Sequence, residues 1–317
     1  MKKAFVLFMI LLAAIQSFAQ SDSTGIPFVA YWSLGDTYDF KVTKVKQQWR
    51  EDKMVKNDSS SYIANFEVID STASSYKIKW TYRNELFSNY NFSEELKRKL
   101  SNYGQTEIIY NTDELGIFIG VENWEEIAQL TSEIFDLVME DVYEFEGKQK
   151  EEFITAMQQF KRSFQSKEGI ESVILKELRT MHFPFGVEYY RNDTIRYQDE
   201  LANLFGGDPI RGEVEITVEE VDIENEYCVL LQEMALNEED SRSMLIDMFN
   251  MMNINKEEME KVMKSAKIEI TDYNKYAFFY YPGVPDFIET KRSSKIEGDG
   301  SKAKSVDKIR IELVFTE

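Results

Sequence analysis

The chain has 317 residues, with 57 acidic against 37 basic side chains, one cysteine and one histidine. A net charge of −20 argues against nucleic acid and anionic membrane surfaces as partners, since both attract basic proteins. A single cysteine excludes an internal disulfide, and one cysteine with one histidine makes a zinc site unexpected, whereas the many acids leave calcium open.

Lys2 and Lys3 precede an uninterrupted apolar run over residues 4–15, and Ser17-Phe18-Ala19 offers small residues three and one before a cut. This pattern predicts a secretory signal peptide over residues 1–19, leaving Gln20 as the new N-terminus. The run is short of the ~20 residues that span a bilayer, and no later segment qualifies, so no transmembrane segment is expected after cleavage. The processed chain would carry 35 basic residues against 57 acidic ones, a net −22.

Residues 20–30 read as a polar tail, with order expected from near Tyr31. Strands are predicted over residues 36–49, 62–70 and 76–80, the last two joined as a hairpin by a polar turn at 71–75. A short helix over 92–103 has Ser93 as its N-cap. Residues 107–110 and 116–121 form a second hairpin turned at 111–113. A helix capped by Asn123 follows, then one whose face carries Phe153, Met157, Phe160 and Phe164 at helical spacing, then a third over 170–181.

Extended structure returns over 186–197, followed by strands at 213–221 and 227–234 and a helix over 238–265. Residues 267–271 and 276–281 are expected to pair around a turn at 272–274. Two last strands, 287–295 and 308–315, flank a mobile hairpin loop over 297–305. The order strand, hairpin, helix, hairpin thus occurs twice at a spacing of about 150 residues, which suits duplication of a half-domain. The expected division is residues 1–19 as signal, 20–121 as a first β-rich half, 122–182 as a helical segment, and 183–317 as a second β-rich half.

The residues favour no particular catalysis. His182 alone would have to serve as base in any Ser-His or Cys-His mechanism, and a structural role at the end of the helical region is the better reading. No nucleophile elbow or phosphate loop is present, and no pair of carboxylates stands out for glycoside hydrolysis. Asp36 and Asp113 read as turn formers, and Cys228 as a small buried hydrophobe. The chain is therefore expected not to be an enzyme and to need no cofactor. The helix after residue 238 is dense in methionine. Met248, Met252, Met259 and Met263 are the candidate ligand-binding residues, because a flexible, polarizable thioether adapts to varied apolar partners.

The stretches Leu34-Gly-Asp-Thr-Tyr-Asp-Phe-Lys-Val42 and Asp113-Glu-Leu-Gly-Ile-Phe-Ile-Gly-Val-Glu-Asn123 resemble uncharacterised exported bacterial proteins classed as domains of unknown function. The layout is similar, more distantly, to periplasmic lipoprotein carriers and related lipid-binding proteins, which hold acyl chains between sheet and helices. The expected fold is α+β: a strongly curved antiparallel sheet in two related halves, with helices packed on one face. The expected function is binding of an apolar or amphipathic, lipid-like ligand in the periplasm or outside the cell. The alternative is a structural or protein–protein component of the envelope with no small ligand.

Overall fold

The computed structural model describes residues 25–83, 93–100, 105–140, 147–173, 176–201, 203, 207–251, 266–298 and 300–315. The expected signal at 1–19 lies outside them.

Antiparallel strands dominate. β2 (Thr37–Arg50), β3 (Lys53–Ser71), β4 (Ser75–Arg83), β5 (Gln105–Asp113) and β6 (Phe118–Val121) form one meander, interrupted by the short helix α1 (Glu94–Leu100). β8 (Thr194–Leu201), β9 (Ile210–Asp222), β10 (Tyr227–Leu236), β11 (Lys267–Phe279), β12 (Val284–Gly298) and β13 (Ser301–Leu313) form the second, with helix α6 (Glu238–Met251) between β10 and β11. The meanders join where β13 pairs with β2, giving one open sheet of eleven strands with β6 and β8 at its edges. The helices α2 (Trp124–Glu140), α3 (Lys148–Ser163), α4 (Lys167–Val173) and α5 (Lys176–His182) carry the chain from the β6 edge toward the β8 edge. A small second sheet pairs β1 (Ile26–Phe28) with β7 (Val187–Tyr189).

Side chains alternate across each strand, so one face collects the apolar residues. Cross-strand partners on this inner face include Trp80, Phe66 and Val42 in the first meander, and Ile311, Ile288, Tyr276 and Leu230 in the second. All belong to, or border, a single buried cluster. The opposite, outer face carries cross-strand ion pairs such as Lys79–Glu67 at 2.6 Å, Lys275–Glu219 at 2.6 Å and Lys295–Glu269 at 3.0 Å. An antiparallel sheet with one dry and one wet face has this alternation.

The segment around β1 overturns the reading of a tail for residues 25–30, the described part of 20–30. Ile26 and Phe28 are buried, and Phe28 meets Tyr189 and Phe278 edge to face. Backbone amides of Ala30 and Tyr31 donate to Leu115 and Pro282 carbonyls, in turns of the first and second meander respectively. The segment is a tie between the two halves of the sheet.

Four further expectations are corrected. The proposed turn at 272–274 is the middle of β11, which runs unbroken because Asp272 and Asn274 face polar partners on neighbouring strands. The loop at 297–305 is an ordered hairpin: Gly298 pairs with Ser301, and Gly300 takes a φ of +78° that suits glycine. The turn at 111–113 lies within β5, and Asp113 Oδ1 instead accepts the amides of Leu115 and Ile117. The helix over 170–181 begins earlier, at Lys167: α4 and α5 cover Lys167–Val173 and Lys176–His182, and residues 174–175 lie outside the described ones.

Local capping follows the sequence in part. Ser93 Oγ accepts the Leu96 amide at 3.0 Å, and Asp36 Oδ2 accepts the Ser33 amide at 2.8 Å. Asn123 precedes α2 as expected, but its side chain bonds Ile109 N–H and Glu107 C=O of β5 rather than capping its own helix. Phe164, after α3, stacks on Phe135 of α2 with centroids 5.3 Å apart.

Candidate binding site on the inner face of the sheet

The inner face of β10 to β2 is layered. Nearest β1, the row Leu230, Tyr276, Ile288, Ile311 and Val42 is apolar and buried. The next row is mixed: Gln232, Asn274, Thr290, Ile309 and Lys44. Gln232 Oε1 accepts both Asn274 Nδ2 at 2.8 Å and the buried Tyr276 hydroxyl at 3.0 Å. Burial holds the Tyr276 phenol well above its ordinary pKa, so it stays a neutral donor. Lys44 pairs with Glu177, a buried carboxylate on α5.

The third row alternates in charge: Asp272, Arg292, Asp307, Lys46 and Asp58 stand in register on β11, β12, β13, β2 and β3. Arg292 grips Asp272 through two parallel bonds, Nε to Oδ1 at 2.7 Å and Nη2 to Oδ2 at 2.5 Å. Lys46 lies 3.8 Å from Asp307.

Beyond this row the second meander turns apolar again. Ile270, Ile268 and Ala266 are buried beneath α6, flanked by Leu236, Ile296, Met244, Leu245, Ile246 and Phe249, which are only partly buried. The start of α6 is firmly placed. Asn237 Oδ1 caps the Asp240 amide at 3.0 Å. Arg211 of β9 binds both Asp240 carboxylate oxygens at 2.7 and 2.8 Å and holds that carboxyl down at about 2. Arg242 donates to Glu238 and to the Ala266 carbonyl, each at 2.8 Å.

Of the four candidate methionines, Met248 lies on α6 and is half-buried. Met252, Met259 and Met263 lie outside the described residues. The contacts to the sheet come instead from Met244, Leu245, Ile246 and Phe249. Splitting β11 at 272–274 hid Ile268 and Ile270 as partners of this helix. The apolar alternation of Ile268, Ile270 and Tyr276 stays in one register across Asp272 and Asn274, which is the signal that one strand carries them all.

His182 sits elsewhere, among Trp32, Tyr110, Phe118 and Phe185. Nδ1–H donates to the Gly116 carbonyl at 2.8 Å, which leaves Nε2 to accept the Tyr110 hydroxyl at 2.9 Å. Burial pushes its pKa down to about 4, and the imidazole is neutral. Burial likewise pushes the Cys228 thiol up to about 12, so it packs as an inert hydrophobe.

Two grooves of about 400 and 440 Å³ open on surfaces rich in charged side chains. One is lined by Trp49, Lys295 and Lys304, the other by Arg196, Glu213, Glu233 and Tyr273. Among the described residues no helix is long and apolar enough to cross a membrane.

No protein-family model matches the chain, and no curated protein matches it. Among solved structures, one of lipovitellin concerned with lipid–protein interactions aligns with a TM-score of 0.42 at 9% identity, covering 89% of this chain. The alignment spans 25% of the lipovitellin chain. A putative exported protein with a YmcC-like fold from Bacteroides fragilis aligns with a TM-score of 0.21 at 10% identity, covering 91% of this chain and 100% of that one. The attachment invasion locus protein Ail of Yersinia pestis aligns at 0.15 and 6% identity, covering 89% and 100%. Scores this low carry neither fold nor function from those proteins to this one.

Proposed function

We propose that the chain is an exported, non-enzymatic binding protein for an amphipathic, lipid-like molecule in the periplasm or cell envelope. The observation that carries this reading is the second apolar cluster under α6. It lies on the same sheet face as the main core, is covered by side chains that stay partly exposed, and abuts a row of fixed charges. An apolar tail would lie against Ile268, Ile270 and Phe249, with Met248 adapting to its shape. Arg292 and Lys46 would face its polar end.

In this reading the sheet is bent around its inner face and the helices all lie on that face. Tyr110 on β5 and Phe278 on β11 are six strands apart, about 29 Å in a flat sheet at ~4.8 Å per strand. Ring contacts of 5.3, 5.8 and 5.8 Å through His182 and Phe185 hold the two rings within about 17 Å. That closeness supports a strong bend. Both His182 ring nitrogens are engaged, which supports a structural imidazole rather than a proton carrier.

Native mass spectrometry of protein purified from its own host, paired with uptake of a fluorescent fatty acid, tests the reading. Retained lipid and saturable uptake are expected, with Met252→Trp displacing the probe. No retained lipid and no uptake would sink it. The mature mass should start at Gln20, and a form retaining residues 4–15 would contradict export by cleavage.

One observation favours the alternative, a protein–protein component of the envelope. At the β1 end, Tyr31 and Tyr281 touch at 5.1 Å while 47% and 55% exposed, and Ile117 and Val187 nearby are 40% and 38% exposed. If ligand uptake fails, this patch is the surface to mutate in a pull-down from the envelope fraction.

A further inference from the structure

The two edges of the sheet are finished differently. β6 is four residues long, and on its open side the Val121 amide donates to Glu171 Oε1 of α4 at 2.8 Å. Lys167 and Glu171 also crowd Gly120 there. β8 has eight residues, and among the described residues no strand pairs with its open side. An unpaired edge of that length is a template for another strand unless its charges forbid the match.

The charges on β8 select one match. Alternate residues of a strand turn their amide groups toward the same edge, so two copies of β8 can pair antiparallel only when facing residue numbers sum to an even value. Centring the pair on Asp199, Arg196 or Glu200 places a charge opposite its own copy, which is unfavourable. Centring on Tyr197 sets Arg196 opposite Gln198 and gains no charge pair. Centring on Gln198 sets Arg196 opposite Glu200 of the partner subunit, and by symmetry does so twice. The same register sets Ile195 opposite Leu201 of the partner subunit. Both residues already pack on the main core from the inner face, and an even register keeps inner face beside inner face. Arg196 Nε donates to Glu215 of β9 in its own chain at 2.9 Å, which keeps its side chain on the outer face, where at 66% exposed it can also reach across the open edge.

We propose that β8 is the seam of a symmetric homodimer, paired antiparallel about Gln198, in which the eleven-stranded sheet continues into a second copy. The test is sedimentation of the full chain with Arg196→Glu, Glu200→Arg and the two combined, each checked for native circular dichroism and unfolding temperature. The unmodified chain should be a dimer. Each single change faces like charges across the seam twice and should weaken the dimer at least about tenfold. The combined exchange restores opposite charges and should return association to near its original strength. A chain that is monomeric up to its solubility limit would overturn the proposal. So would a dimer indifferent to both single changes, or a double variant no better than the singles.

Discussion

The inner face of the sheet carries two apolar regions that the chain treats differently. Around β1 the packing is closed: Phe28, Phe40, Trp80 and Phe278 are fully buried, Trp32 meets four rings within 5.8 Å, and the amides of Ala30 and Tyr31, just after β1, reach both meanders. Under α6, among the described residues, three are buried and their six apolar neighbours are partly buried. Between the two lie the polar and charged rows. A sheet that only needed a core would have continued Ile and Val through them. On the proposed reading, the first region supplies stability and the second binds the ligand.

The largest expected effect is in the closed region. Phe278→Ala removes a ring that touches Phe28 and Phe185 in a packed interior, and should cost about 3–5 kcal/mol in urea unfolding. A loss below that of Phe249→Ala under α6 would reverse the comparison.

Next is the pH dependence of the same region. His182 titrates at about 4 when folded against 6.5 when unfolded, so the unfolded chain takes the proton first. Stability from this group is complete above pH 6.5, declines as pH falls toward 4, and levels off below. At about 1.4 kcal/mol per pH unit the loss is about 3 kcal/mol. Unfolding of the unmodified chain and His182→Gln at pH 7 and pH 4 measures it. An equal drop in both would mean the imidazole plays no part.

Much of this arrangement was legible in the sequence. Val214, Ile216 and Val218 announced β9 by alternation, and Ser93 announced α1 as its cap. What misled was polarity inside elements. Asp272 and Asn274 have the composition of a turn, and only the distant residues Arg292 and Gln232 make them strand residues. The Gly-, Ser- and Lys-rich residues 297–305 show a hairpin but hid how tight it is, although Asp-Gly at 299–300 is the signal of a two-residue turn. Residues near Ile26 looked like a tail because their partners lie on both halves of the sheet, far away in sequence. The candidate methionines were chosen by density. The half-covered cluster beneath α6 depends on strand register, which density does not reveal.

The charged row gives a smaller effect. In a double-mutant cycle, Asp272→Ala and Arg292→Ala should couple by roughly 1–2 kcal/mol, since the paired groups are partly buried and joined by two bonds. Coupling near zero would mean that water already screens the row. It would then form no fixed boundary between the two apolar regions.

The smallest effect on stability, and the most informative, is expected from Phe249→Ala. Phe249 is half-buried against the cluster of Ile268 and Ile270 at the described end of α6. Truncation removes only part of a full side-chain transfer, about 1 kcal/mol, because Phe249 is only partly buried. The helix start is held independently by Asn237, Arg211 and Arg242, so the fold should tolerate the change. Fatty-acid uptake should nevertheless fall at least about tenfold, because a tail lying on the cluster would lose contacts that the free protein does not make. Unfolding and uptake measured on the same preparation separate the cases. A loss of several kcal/mol with unchanged uptake would make this region a second core, and the comparison between the two apolar regions would collapse.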